Sequence, residues 1–107
     1  MRMRLLALAG ATLIATLPLT ATTASAATKC PSGKICTWTK PKFGGKKYTY
    51  NKESGCHPRS GRSVSNQSGK RITLYKEGSC YGARFEIKPG HYTEKTPWPV
   101  QSMAVWG

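Results

Sequence analysis

The side chains that could perform chemistry are few in this chain. The sequence of 107 residues contains no aspartate, and its acidic residues are Glu53, Glu77, Glu86 and Glu94. The chain therefore has very few carboxylates from which a hydrolytic site with a carboxylate pair could be built. His57 and His91 stand alone, and the cysteines lack the close spacing of a zinc site. We expect a protein that is not an enzyme and needs no metal or cofactor.

The four cysteines predict covalent cross-links. An even number of cysteines in a small exported chain is typical of a disulfide framework, and four cysteines allow three pairings. Cys30 and Cys36 bracket the turn-rich segment 31–35, whose ends meet easily. This spacing favours a Cys30–Cys36 disulfide and leaves Cys56 to pair with Cys80, although sequence alone does not select one pairing.

The N-terminal segment predicts export. Two arginines precede an apolar run at residues 5–17, which is followed by a proline and by the small residues 24–26. This order is typical of a cleaved signal peptide, and the run is shorter than the ~20 apolar residues that span a bilayer. We expect a signal peptide at 1–26 and a secreted domain at 27–107. Removal of the two arginines lowers the formal net charge from +13 to +11.

The elements that would position these residues repeat along the chain. Residues 35–50 align without a gap onto residues 72–87 at an offset of 37, and Ser63 aligns with Ser102 at an offset of 39. Such self-similarity predicts two structural modules of the same kind. The matched positions include Trp38 with Tyr75, Gly45 with Gly82, Tyr48 with Phe85 and Tyr50 with Ile87.

Each copy has the pattern of two short strands joined by a hairpin. In the second copy, Phe85 and Ile87 alternate with charged residues, which is typical of a strand with one buried face. No segment of the domain has a sustained helical period, and prolines interrupt it often. The sequence predicts an all-β fold of two four-stranded Greek keys packed face to face, at about 30–67 and 70–107. The strands located by the pattern lie near 35–39, 46–51, 62–66, 71–76, 83–88 and 101–106.

These motifs resemble the βγ-crystallin Greek-key pattern. That pattern is an aromatic residue, four spacers, an aromatic residue or cysteine, any residue, a glycine and a downstream serine. The first copy matches it with Trp38, Phe43, Gly45 and Ser63, and the second with Tyr75, Cys80, Gly82 and Ser102. As a fold, the resemblance implies a two-sheet βγ-crystallin-like sandwich.

A second resemblance concerns function. The segment Cys30–Cys36 just after a signal peptide, Cys56 following a glycine, and Cys80-Tyr81-Gly82 are similar to the small secreted actinobacterial inhibitors typified by the Streptomyces metalloproteinase inhibitor. This resemblance spans essentially the whole mature chain. It implies disulfides Cys30–Cys36 and Cys56–Cys80 and inhibition of an extracellular peptidase.

Two departures from these families concern the sites. Calcium-binding βγ-crystallins place an Asn/Asp pair where this chain has Pro58-Arg59 and Pro97-Trp98, so we expect no calcium binding. The type inhibitor holds its reactive bond on a late disulfide loop, which has no counterpart here. The Lys34–Ile35 bond, inside the Cys30–Cys36 loop, is the candidate contact instead, because a rigid exposed loop lowers the entropic cost of binding. The alternative is that this loop is only a structural staple.

A cluster of cations supports a different hypothesis. Its positive field would attract anionic cell-wall or membrane surfaces, and the alternative is that the charge serves solubility alone. Trp98 could stack on a sugar or a base, or it could pack in the core or cover a sheet edge. No nucleic-acid recognition motif is visible. The cationic candidates are Lys40, Lys42, Lys46, Lys47, Arg59 and Arg62.

The sequence therefore favours a secreted, monomeric, non-enzymatic protein that inhibits an extracellular peptidase by occupying its active-site cleft. The second hypothesis is a basic antimicrobial or cell-surface-binding module of the killer-toxin-like type. Binding through charge would weaken steeply as ionic strength rises, whereas a buried inhibitory contact would survive moderate salt.

Overall fold

The computed structural model describes residues 29–107, so the predicted signal peptide at 1–26 lies outside the described residues. No residue of the described part is helical, and within it no helix has the length and apolarity that a membrane crossing requires. The strands are β1 (Ile35–Lys40), β2 (Gly44–Tyr50), β3 (Gly55–Gly61), β4 (Ser63–Asn66), β5 (Ile72–Glu77), β6 (Tyr81–Ile87), β7 (Tyr92–Thr93) and β8 (Val100–Val105).

The strands form two antiparallel sheets of four strands each. The first sheet has the order β2-β1-β4-β7 and the second the order β3-β8-β5-β6. Each half of the chain thus gives three strands to one sheet and its third strand to the other. The all-β prediction is confirmed, and the six located strands correspond to β1, β2, β4, β5, β6 and β8. The Greek-key description of this topology stays a prediction.

The sequence pattern does not locate β3 and β7, and both omissions have a physical reason. β3 contains Pro58 and no run of alternating apolar residues, so it lacks the usual signal of a strand. β7 has two residues and pairs with β4 only through Val64–Thr93 and Ser65–Tyr92. A strand this short is defined by its partner and leaves no pattern of its own.

The core lies between the two sheets. Alternate residues of a strand point to opposite faces, so each sheet turns one apolar row toward the other. Trp98 packs against this core from its margin. Removal of these side chains from water is the main force that holds the sheets together. The core residues are Ile35, Val64, Ile72, Leu74, Ile87, Val100, Met103 and Val105.

Two disulfides staple the sandwich. The Cys30–Cys36 bond closes the loop before β1, and Cys56–Cys80 joins β3 to the turn between β5 and β6. A domain of this size buries limited apolar area, so cross-links that restrict the unfolded chain contribute a large share of its stability. A small cluster on the outer face of the first sheet contains Cys30, Cys36, Trp38 and Phe43.

Candidate functional site

The turn between β5 and β6 is held in one conformation by its backbone and by a buried serine. Ser79 and Cys80 both have left-handed backbone, with φ of 58° and 56°. Ser102 Oγ accepts a hydrogen bond from Cys80 N at 2.8 Å and donates one to Glu77 O at 2.6 Å. These two hydrogen bonds hold the turn to β8, which contains Ser102, and the serine itself is fully buried. We call residues 77–82 the clamped bend.

A covalent link and a glycine complete the clamped bend. The Cys56–Cys80 disulfide ties it to β3, with the two Cα atoms 6.1 Å apart. Gly82 has φ of +88°, and a Cβ there would lie 2.8 Å from Glu77 Cγ. A residue with a side chain would therefore be strained at this position as well as crowded. The bend is therefore held at Glu77 and Cys80 by Ser102, and at Cys80 also by the disulfide.

Tyr81 follows the disulfide and projects from the clamped bend. Its side chain is 73% exposed, more than any other large hydrophobic side chain between residues 29 and 107. Tyr81 is also the first residue of β6, which is an edge strand of the second sheet. The outer side of β6 has no neighbouring strand in the sheet, so its backbone groups are free to pair with another chain. An aromatic anchor and an extended edge therefore lie together.

The arrangement is suited to docking on a partner. An exposed aromatic ring on a rigid backbone can fill an apolar pocket of a partner with little loss of conformational entropy. Within residues 29–107, no three side chains of His, Cys, Asp or Glu converge to form a metal site. All four cysteines are in disulfides, so none of them is a free thiol.

The N-terminal disulfide loop does not present the predicted contact. Ile35 is fully buried and its backbone pairs with both β2 and β4. Lys34 is half-buried, and its Nζ donates a hydrogen bond to Asn51 Oδ1. The expectation of an exposed Lys34–Ile35 bond is therefore wrong, because β1 and the core begin at Ile35. The alternative, a structural staple, agrees with this geometry.

The predicted cations separate into a cluster and two tethered residues. Lys40, Lys42, Lys46 and Lys47 are all exposed and surround the β1–β2 hairpin. Arg62 instead donates hydrogen bonds to Thr96 Oγ1 and Thr96 O, both at 3.2 Å. The Arg59 guanidinium lies over the Tyr50 ring, 4.0 Å from its centroid. The four hairpin lysines thus share one exposed region, and Lys46 Nζ also lies 5.2 Å from the centroid of the Tyr48 ring.

Trp98 lies at the margin of the main core. It is half-buried and packs against the main core. Thr96 Oγ1 donates a 2.6 Å hydrogen bond to Trp98 O, which fixes the backbone of the loop before β8. Among the sequence interpretations of Trp98, the geometry agrees with core packing. The most exposed aromatic residue between residues 29 and 107 is Tyr81.

The candidate role of Tyr81 is missed by sequence reasoning, although a signal for it exists. The gapless alignment places Cys80 opposite Phe43 and Tyr81 opposite Gly44. A large aromatic residue therefore replaces a glycine immediately after the bend. Cys80 and Gly82 belong to the Greek-key pattern, whereas the position between them can hold any residue, so the pattern does not single out Tyr81.

Comparison with known proteins bears on this site. The sequence model of peptidase inhibitor family I36 matches residues 23–86. The chain belongs to this family. The matched span contains both disulfides, the whole clamped bend and nearly all of β6. The resemblance to the Streptomyces metalloproteinase inhibitor group is thereby confirmed, and membership in family I36 implies a peptidase as partner. No curated protein matches the chain in sequence.

Proposed function

We propose that this protein is a secreted, non-enzymatic inhibitor that occupies the active-site cleft of an extracellular peptidase with the clamped bend. Membership in family I36 supports peptidase inhibition. The observation that carries the choice of site is the exposure of Tyr81 on an immobilised backbone. The basic antimicrobial alternative is not favoured by the family match.

The mechanism begins with strand pairing. Peptide ligands often bind by adding an extended strand to an exposed sheet edge. β6 offers such an edge, and Tyr81 is at the end of β6 nearest the solvent-exposed turn. The phenol ring would enter an apolar specificity pocket while the backbone of β6 pairs with the cleft. The expected target is a peptidase that accepts a large aromatic side chain.

The same geometry explains how the bend would resist cleavage. On one side of Tyr81 the chain is held by the Cys56–Cys80 disulfide and by Ser102. On the other side β6 is paired with β5 along its length. If a bond next to Tyr81 were cut, both new ends would stay in place and no product would leave. Preorganisation also lowers the entropic cost of binding.

The positive charge of the domain would speed its approach to the peptidase rather than strengthen the final contact. A net charge of +11 after removal of the leader attracts an acidic partner over long range. Such steering raises the association rate and weakens with salt, whereas dissociation depends on the buried contact. The complex of inhibitor and peptidase should therefore form more slowly at high ionic strength, whereas its dissociation rate should stay nearly constant.

Several further features belong to this proposal. The signal peptide at 1–26 is removed, and the mature domain 27–107 acts outside the cell as a monomer. It consists of two Greek keys, at about 30–67 and 70–107. It binds no calcium, because proline, arginine and tryptophan occupy the positions where oxygen ligands would be needed.

Inhibition of a panel of secreted metallopeptidases and serine peptidases by purified residues 27–107 tests the proposal. We expect near one-to-one titration of at least one enzyme. Tyr81→Ala should weaken that inhibition by about 100-fold, as expected for a central aromatic anchor. Tyr92→Ala is the matched control, because it removes another exposed tyrosine, from β7 in the other sheet.

The two parts of the proposal fail separately. Absence of inhibition across the whole panel would overturn the function. Full inhibition by Tyr81→Ala, or an equal loss with Tyr92→Ala, would overturn the choice of the clamped bend while leaving the inhibitory function intact. Thermal unfolding of both variants shows whether each remains folded in the assay.

A further inference from the structure

A row of cations and tyrosines lies on the inner face of β2, beyond the edge of the core. Lys46, Tyr48 and Tyr50 occupy alternate positions of the strand and so project from the same face. The two rings are stacked, with centroids 6.4 Å apart and planes at 15°. Lys46 Nζ lies 5.2 Å from the Tyr48 centroid, and the Arg59 guanidinium lies 4.0 Å from the Tyr50 centroid. We call these four residues the cation–tyrosine ladder.

The ladder has unused binding capacity. The ion pair that the described part of the chain contains joins Arg71, just before β5, to Glu86 of β6, so neither cation of the ladder is matched by a carboxylate. Neither tyrosine hydroxyl has a hydrogen-bond partner within residues 29–107. Tyr48 is 38% exposed. An open groove runs beside Tyr50 and Arg59 and is also lined by Pro58, Ser60, Val100 and Gln101.

The second half of the molecule shows that the fold does not require this ladder. By the repeat offsets, Phe85 and Ile87 correspond to the two tyrosines, and Trp98 corresponds to Arg59. Ile87 is buried at 3% exposure and Trp98 packs against the core, whereas Phe85, at 36%, is about as exposed as Tyr48 at 38%. The positions equivalent to Tyr50 and Arg59 are therefore filled with apolar side chains that join or border the core. A polar, open row in one half alone suggests a binding role rather than a structural one.

We propose that the cation–tyrosine ladder is a second binding site, separate from the clamped bend, for a linear anionic polysaccharide that carries uronate carboxylates. Lys46 and Arg59 would pair with carboxylates, and the tyrosine hydroxyls would bond to sugar hydroxyls. The groove beside Tyr50 and Arg59 is open rather than enclosed, which suits a section of a long chain. Binding there would retain the inhibitor on an acidic polymer.

The chemistry of the ladder disfavours nucleic acid as the occupant. Binding of single strands depends on bases that stack on free aromatic faces. Here each tyrosine ring has a cation over it, and the two rings stack on each other. The groups left for a ligand are the hydroxyls, the ring edges and the positive charges. These groups match a hydroxyl-rich polyanion better than a base.

Binding of residues 27–107 to polygalacturonate, measured by calorimetry, tests the proposal, with dextran as the neutral polymer. The key variant is Lys46→Gln/Arg59→Gln, and the matched control is Lys88→Gln/Lys95→Gln, which loses the same charge from exposed residues elsewhere. We expect the ladder variant to bind about tenfold more weakly and the control to change by less than about twofold. The variant Tyr48→Phe/Tyr50→Phe keeps the rings and should lose part of the affinity.

Several results would overturn the proposal. Equal losses in the ladder variant and in the control would mean that net charge alone drives binding. Absence of binding to polygalacturonate, or tighter binding to a single-stranded oligonucleotide, would rule out a polysaccharide site. The calorimetric measurement uses no peptidase, so this test does not depend on the proposed inhibitory function. Circular dichroism and thermal unfolding confirm that each variant is folded.

Discussion

The two bends of this molecule have the same backbone and different contents. In the first bend (residues 40–45), Lys42 and Phe43 have φ of 57° and 58°, close to the values of Ser79 and Cys80 in the clamped bend. Ser63 Oγ accepts from Phe43 N at 3.0 Å and donates to Lys40 O at 2.7 Å. This is the same pair of hydrogen bonds that Ser102 makes in the second half.

The side chains that fill the bends differ. Phe43 is buried in the first bend, 4.9 Å from the Trp38 ring and 5.6 Å from the Tyr92 ring, and Gly44 follows it. In the clamped bend, Cys80 takes the place of Phe43 and is bonded to Cys56. The residue that follows is then an exposed tyrosine. Aromatic packing holds one bend, and a covalent bond holds the other.

This difference separates what the fold needs from what the proposed function uses. Left-handed residues, a glycine and a serine recur in both halves, so they belong to the architecture. The disulfide holds the second bend by a covalent bond, and the next residue, Tyr81, is exposed and could face a partner. The first bend is closed and would serve structure, and the second is open and would serve recognition.

Loss of the Cys56–Cys80 disulfide should have the largest effect on stability. The bonded residues are 24 apart in sequence, and opening a loop of this size costs about 3.5 kcal/mol of unfolding free energy. Urea unfolding of Cys56→Ala/Cys80→Ala measures this cost. Tyr81→Ala is the control, because truncation of an exposed side chain should change stability by less than about 0.5 kcal/mol.

Both of those variants should lose inhibition, for different reasons. Cys56→Ala/Cys80→Ala releases the clamped bend, whereas Tyr81→Ala removes the anchor from a bend that is still rigid. If the disulfide variant keeps its stability and its inhibition, the bend is held by Ser102 alone, and the contrast between covalent and packed bends is wrong.

Phe43→Ala should come next, with a loss of about 3 kcal/mol, at the lower end of the cost of truncating a buried phenylalanine. The lower value is expected because Phe43 belongs to a small cluster on the outer face of the first sheet and not to the main core. Inhibition per folded molecule should be unchanged. A loss of inhibition in the folded variant would show that the first bend also contacts the peptidase.

Much of this architecture follows from local sequence, whereas the candidate site does not. Alternation of apolar and charged residues identifies β6 as a strand, and the recurrence of glycine at Gly45 and Gly82 identifies the two bends. Both signals lie within a few residues of the element that they identify. The exchange of β3 and β7 between the sheets depends on pairing with distant strands and leaves no local mark. The burial of Ile35 is equally non-local, since the turn-rich loop before it suggests exposure. The exposure of Tyr81 depends on the Cys56–Cys80 disulfide, and Cys56 lies on β3, 24 residues earlier in the chain.

The two bend serines should give the smallest effects and the sharpest comparison. Ser63→Ala would leave the buried Phe43 N–H without a partner and should cost about 2 kcal/mol. Ser102→Ala should cost only about 1 kcal/mol, because Cys80 N is partly buried and the disulfide still holds the bend. Urea unfolding measures both, with the exposed Ser32→Ala as control. An equal or larger cost at Ser102 would mean that the disulfide adds no rigidity to the clamped bend, and the preorganisation assigned to Tyr81 would then depend on a single hydrogen-bonded serine.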